Sequence, residues 1–161
     1  MRPVHYFTII IIIISLIPLA ACPGGKDPNQ NKGSGPDING VWYDNVCSKM
    51  EIETSSIGRV WGTFANGDQA DFDCAKRDEG YELNGTYSDG VLKFKVDFNG
   101  PPPPRECYTT TSWISTSVSS DKIKTKYTGV YSPPDGPVEK FEGENTFTRE
   151  CPCSSGCATG S

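Results

Sequence analysis

"VLKFKVDF", residues 91–98, is the stretch on which the fold turns. Leu92, Phe94, Val96 and Phe98 fall on one side of an extended chain, with Lys93, Lys95 and Asp97 on the other. Side chains alternate across a strand with a period of two, so the pattern predicts a strand with one face buried and the other in water. The same period runs through "YELNGTY" (81–87), which groups Tyr81, Leu83, Gly85 and Tyr87. In "KIKTKYTGVY" (122–131), Ile123, Thr125, Tyr127, Gly129 and Tyr131 oppose Lys122, Lys124 and Lys126. "KFEGENTF" (140–147) sets Phe141, Gly143, Asn145 and Phe147 against Glu142, Glu144 and Thr146. Further strands near 38–44, 49–54, 58–66 and 108–117 complete a set of eight, and no segment carries a helical period beyond a turn or two.

Turn residues punctuate these runs: Ser56 and Gly58, Asn66-Gly67-Asp68, Ser88-Asp89-Gly90, Asn99-Gly100 with the prolines that follow, Ser120-Asp121, and Pro133-Pro134-Asp135-Gly136. Eight short antiparallel strands joined mostly by tight turns predict an all-β fold, an eight-stranded antiparallel up-and-down β-barrel in preference to a sandwich. A barrel of eight strands has room for one small ligand. Gly62, Gly85, Gly129 and Gly143 fall on the inward rows, where glycine relieves crowding as strands coil.

The first residues belong to processing rather than to the fold. Arg2 precedes "FTIIIIIISLI" (7–17), an apolar run too short to span a bilayer comfortably. It ends in Leu19-Ala20-Ala21-Cys22, which resembles the lipobox of bacterial lipoproteins, where the chain is cut before the cysteine and acyl chains are attached to it. That resemblance implies a signal peptide over 1–21 and lipidation of Cys22, hence a membrane partner through the lipid anchor. It also implies a place in the bacterial cell envelope, facing the periplasm or the exterior. "PGGKDPNQNKGSGPD" (23–37) has no residue to contribute to a core, so 22–37 reads as a lipidated cysteine with a flexible tether. The barrel is expected over 38–150 and a Cys-rich tail over 151–161.

The chain carries a formal charge of −5, and removal of the signal takes away Arg2, leaving −6. An acidic domain with scattered lysines offers no basic face for nucleic acid. Seven cysteines leave six once Cys22 is acylated: Cys47, Cys74, Cys107, Cys151, Cys153 and Cys157. In an oxidising compartment six cysteines imply three disulfides, with the pairing left open. Cys47 or Cys107 joined to Cys151, Cys153 or Cys157 would strap the tail to the barrel. Cys151 and Cys153 lie too close for an easy mutual bridge, so each is expected to take a distant partner. A metal site on "CPCSSGC" is disfavoured, because the one histidine, His5, is lost with the signal; no cofactor is expected.

The inward rows are apolar for part of their length and then polar. Asp44 and Ser48 lie at the first strand and turn, Asn66 at the turn after the third, Thr109 and Thr111 on the "TTTSW" strand (109–113), and Asn145 on the last. Phe64, Phe98, Trp113 and Tyr127 stand beside them on four different strands. Buried polar groups are costly unless paired, and aromatic walls with a few hydrogen-bonding groups describe a small-molecule site. No mature histidine, no activated nucleophile and no inward pair of carboxylates is present, so an enzyme is not expected.

These residues look like the avidin and streptavidin family of biotin-binding proteins. "GVWYDNVCSKM" (40–50) is similar to the family's G-x-W-x-N first strand with a Ser in the turn. "GTF" (62–64) resembles G-T-Y, "YELNGTY" the fourth strand, "LKFKVDFN" (92–99) the G-[FW]-T-V-x-W-K strand, "TTTSW" the T-x-W strand, and "GENTFTRE" (143–150) the closing strand. The resemblance implies a barrel that binds without catalysing, commonly as a dimer or tetramer. By position Ser48 would donate to the ureido oxygen of biotin, Asn145 accept from a ureido N–H, Thr111 meet the sulfur and Thr109 the carboxylate. Phe98, Trp113 and Tyr127 would form the walls, with Val46 against the ring. The chain departs from the family where Asp44 replaces an Asn donor, Phe64 a Tyr donor and Gly129 a wall Leu, changes that imply weaker biotin binding. "SPPDGP" (132–137) also lacks the Trp that a neighbouring subunit lends in tetramers. A carboxylate at 44 would prefer an amidine, guanidine or ammonium group over a carbonyl oxygen. An interaction lipoprotein that keeps the barrel but has lost the ligand is the alternative, and a lipocalin-like carrier of a more apolar ligand a weaker one.

Overall fold

A computed structural model of the chain describes residues 35–67, 74, 78–99, 108–133 and 136–160. The expected signal peptide, Cys22, most of the tether and Cys107 lie outside the described residues. The alternating runs form β1 (Gly40–Asp44), β2 (Lys49–Thr54), β3 (Arg59–Ala65) and β4 (Gly80–Ser88). They continue as β5 (Val91–Asn99), β6 (Tyr108–Val118), β7 (Lys122–Ser132) and β8 (Glu139–Thr148). Each strand pairs antiparallel with the next, and β8 returns to β1 to close the barrel. Closure gives every strand a neighbour on both sides, and the inner residues share one core. Trp42, Met50, Ile52, Leu83, Leu92, Val96, Phe98, Ile123 and Phe147 are wholly buried within it.

The inward glycines have a more specific role than relief of crowding. In three cross-strand pairs a glycine faces an aromatic directly: Gly85 and Phe94, Gly129 and Phe141, Gly143 and Tyr127. A Cβ on Gly129 would lie 2.0 Å from the Phe141 ring, and one on Gly143 2.5 Å from the Tyr127 hydroxyl. The Phe141 and Tyr127 rings therefore lie across their glycines, and the inner surface keeps its bulk without widening the barrel.

The seam is uneven. β7 and β8 pair over ten residues, whereas β1 meets β8 only at Tyr43–Thr148 and Asp44–Phe147. β8 therefore rises past the end of β1, and on that side Asn145 stands beside the β1–β2 turn instead of beside β1. Arg149 secures the other side of this seam. Its guanidinium lies 3.6 Å from the centre of the Trp42 ring and donates to the carbonyls of Asn39 (2.8 Å), Ser120 (3.2 Å), Val41 and Asp37 (both 3.3 Å). Trp42 in turn donates through Nε1 to the Ile38 carbonyl at 2.8 Å. One cation thus ties the segment leading into β1 to the β6–β7 turn through their backbone acceptors.

Arg149→Met, which keeps the stem and removes the guanidinium, is expected to cost about 2–4 kcal/mol from the lost cation–π contact and charged hydrogen bonds. Thermal unfolding should show a Tm lower by roughly 10 °C. An unchanged Tm would mean that the seam holds without Arg149.

Candidate functional site

The β1–β2 turn is built around Asp44. Its Oδ1 accepts from the backbone N–H of Ser48 at 2.8 Å and of Val46 at 3.0 Å, so the carboxylate closes the turn from inside. The carbonyl of Asp44 accepts from Cys47 N at 3.3 Å, and its N–H donates to the Ser48 carbonyl at 3.2 Å. Cys47 takes the left-handed conformation, with φ of 68°, which a non-glycine residue holds only when its surroundings fix it. They do: Cys47 is bridged to Cys153, and its carbonyl accepts from Ala158 N at 2.8 Å.

From β8, Asn145 Nδ2 donates to Asp44 Oδ2 at 2.7 Å. The Ser48 hydroxyl oxygen accepts from Gly67 N at 3.3 Å. Asp44 is 1% exposed, and burial raises its carboxyl above the ordinary 3.8, opposed by the hydrogen bonds from Ser48, Asn145 and Val46. Gly67 is required where it stands, since a Cβ there would sit 2.2 Å from the Val46 carbonyl oxygen. The sequence marks Gly67 only as a turn residue; its part in seating Ser48 depends on the fold.

The aromatic residues converge as expected. Trp113 stacks nearly parallel to Phe94 at 5.4 Å and packs against Tyr127 at 4.5 Å, Phe147 at 5.7 Å and Phe64 at 5.9 Å. Phe64 also meets Phe98 edge-on at 5.9 Å. Trp113 Nε1 donates to Thr111 Oγ1 at 2.8 Å, which fixes the indole and leaves the threonine proton available. Phe94 and Phe147 are site neighbours that the sequence placed only on an inward row. Val46 is half-buried on the turn. Two of the expected polar residues are buried with an atom that makes no hydrogen bond among the described residues: Thr109 Oγ1 and Asn66 Nδ2. Such orphans are rare in proteins and call for water or a ligand.

The tail is strapped to this end of the barrel. Beyond the Cys47–Cys153 bridge, Thr159 N donates to Asp78 Oδ1 at 2.9 Å and Lys49 Nζ to the Thr159 carbonyl at 2.9 Å, while Ala158 is buried. The expectation that Cys151 takes a distant partner is overturned: it bridges Cys157, six residues on, because the Gly156 turn folds the tail back on itself. Cys74 is also disulfide-bonded. The sulfurs of Cys151, Cys153 and Cys157 lie within 4.8 Å of one another, a spacing open to a metal, but all three are bonded to sulfur.

No protein-family model matches the chain, and no curated protein matches it. Solved structures do. Rhizavidin in complex with biotin is 24% identical with a TM-score of 0.56, over 70% of this chain and 91% of that one. Apo bradavidin2 is 25% identical with a TM-score of 0.57, over 70% and 96%. The bradavidin2–biotin complex is 24% identical with a TM-score of 0.57, over 71% and 98%. The fold is thus the avidin-type barrel.

Two outcomes follow from this geometry. The folded chain holds the Asp44 proton more tightly than the unfolded chain does, which favours folding below the ordinary carboxyl range. That advantage is lost as pH rises through the higher folded value. Asp44→Asn has no such proton, so the Tm of the wild type should fall relative to the variant as pH is raised across this window; a flat difference would show that burial does not govern the group. Removing the Cys47–Cys153 bridge by a double Cys→Ser change should lower stability by up to about 5 kcal/mol, against about 2 kcal/mol for the same change at Cys151 and Cys157. Denaturant midpoints in the reverse order would show that the long loop is not what the strap constrains.

Proposed function

We propose that this chain is a small-molecule-binding protein, not an enzyme, and that its barrel takes biotin or a biotin-like bicyclic ligand. The ring end would lie against Asp44, Ser48 and Asn145 between Phe98, Trp113 and Tyr127, with the tail toward Thr109 and Asn66. The observation that carries this reading is the pair of buried, unpartnered polar atoms on Thr109 and Asn66, beside aromatic walls in a barrel whose structural relatives hold biotin. Affinity is expected to be weaker than in avidins, since Phe64 brings no hydroxyl and Asp44 no donor; each missing buried hydrogen bond costs about 1–3 kcal/mol. The lipobox-like "LAAC" supports anchoring of the mature chain through Cys22 to a membrane of the bacterial cell envelope.

A second reading is a lipoprotein that keeps the barrel as a scaffold for surface contacts. The contact of Phe64 with both Phe98 and Trp113 favours it, because those rings partly fill the region a ligand would use. Calorimetric titration of biotin into the oxidised chain in detergent separates the two. Saturable heat that Trp113→Ala abolishes is the expected result, whereas no heat from a demonstrably folded protein would select the scaffold.

A further inference from the structure

At the polar end of the interior, nothing among the described residues balances the charge that Asp44 takes on when it ionises. Asp44 is buried, yet no lysine, arginine or histidine among the described residues pairs with it; the ion pairs of the described chain lie at Lys49–Glu51, Lys95–Asp97 and Lys126–Glu144, all at the surface. Only neutral donors hold the carboxylate: Val46 N, Ser48 N and Asn145 Nδ2. Burying a charge without a counter-charge is costly, and neutral hydrogen bonds offset only part of that cost.

Asp44 also engages most of the donors near it. The N–H groups of Val46 and Ser48 are aimed at its Oδ1, and one N–H of Asn145 Nδ2 at its Oδ2. Trp113 Nε1 is bound to Thr111, and Phe64 has no donor. What faces an incoming group beside Asp44 is therefore chiefly acceptors, next to the Ser48 hydroxyl and the second N–H of Asn145. The remaining lone pairs are those of Asp44 Oδ2 and of Asn145 Oδ1, the latter already accepting from Thr146 N at 2.8 Å.

From this arrangement we propose that Asp44 is the specificity-determining residue of the barrel, and that it selects a ligand whose ring end is a planar cation, a cyclic guanidinium or amidinium, over one that ends in a carbonyl. Two parallel N–H donors of such a cation match a carboxylate and an adjacent amide oxygen, and the cation supplies the missing counter-charge. A carbonyl oxygen at the same place meets a carboxylate and must take its hydrogen bond from the Ser48 hydroxyl or the second N–H of Asn145. The inference rests on the interior site proposed above and names the chemistry that site accepts. The turn brings Val46, the bridged Cys47 and Ser48 against Asp44, and β8 brings Asn145 and Phe147; none of them titrates. The pH dependence of cation binding therefore belongs to Asp44 itself.

The test compares biotin with iminobiotin, its cyclic guanidinium analogue, in calorimetric titrations of the full oxidised chain and of Asp44→Asn. The wild type is expected to bind the guanidinium at least about tenfold more tightly than biotin, with the preference growing as pH rises and Asp44 ionises. Asp44→Asn, close to isosteric, should lose that preference or reverse it. Equal or tighter biotin binding by the wild type, or a preference unchanged in the variant, would overturn the assignment while leaving the interior site intact. Binding of neither ligand by either protein would overturn both. Should the variant not fold, carbon NMR of the wild-type Asp44 carboxyl decides: its titration must move to lower pH when iminobiotin is present, and an unmoved titration counts against the proposal.

Discussion

Ring closure is the constraint on which the rest of this structure depends. A strand in an open sheet can end where its own pattern ends, but in a barrel the last strand must meet the first at the offset that the tilt imposes. Here the offset leaves β1 and β8 only two residue pairs in common. The loss of ladder hydrogen bonds is made good at one side by Arg149, which gathers four carbonyls and lies on Trp42. At the other side β8 continues alone, and that brings Asn145 within reach of Asp44. The site exists because the seam is short.

Asp44 serves two masters at that place. As a turn residue it is well used, since an aspartate oxygen that collects two backbone N–H groups stabilises a tight loop better than most alternatives. As a buried residue it is expensive, and its raised carboxyl records the conflict. Asparagine would close the turn at lower electrostatic cost, because its Oδ1 can accept the same two bonds. With aspartate in that place the chain can present a charge once the group ionises, and a buried charge is a strong selector of what may enter.

Much of this was legible in the sequence, and the part that was not has physical reasons. Period-two alternation in 81–87, 91–98, 122–131 and 140–147 located strands that form close to those limits, because each buries one face. The convergence of Asp44, Ser48, Thr109, Thr111 and Asn145 with Phe64, Phe98, Trp113 and Tyr127 followed from the same alternation once a barrel was assumed. Register between strands carries no comparable signal, so the pairing of Gly129 with Phe141 and of Gly143 with Tyr127 was hidden. The Cys151–Cys157 bridge was hidden too, since it depends on a local reversal at Gly156 that spacing does not specify. Arg149 was legible only as part of the closing-strand motif "GENTFTRE" (143–150). Its role arises from where closure places the Trp42 ring.

The strap decides how sharply such a site discriminates. A turn free to shift could release Val46 N or Ser48 N from Asp44 and offer one to a ligand oxygen, which would blunt any preference. This turn is held from both sides: Cys47 is tied covalently to Cys153 and by its carbonyl to Ala158, while Gly67 packs against the Val46 carbonyl and donates to Ser48. A ligand must then fit the donors and acceptors as they stand, because remodelling the turn would mean giving up the bonds that hold Cys47 in its left-handed conformation. Preorganisation lowers the entropic cost of binding the right partner, and it equally denies the wrong partner a way to adapt. On the proposed reading the Cys47–Cys153 bridge would contribute to selectivity as well as to stability, through the rigidity of the few residues on either side of Cys47.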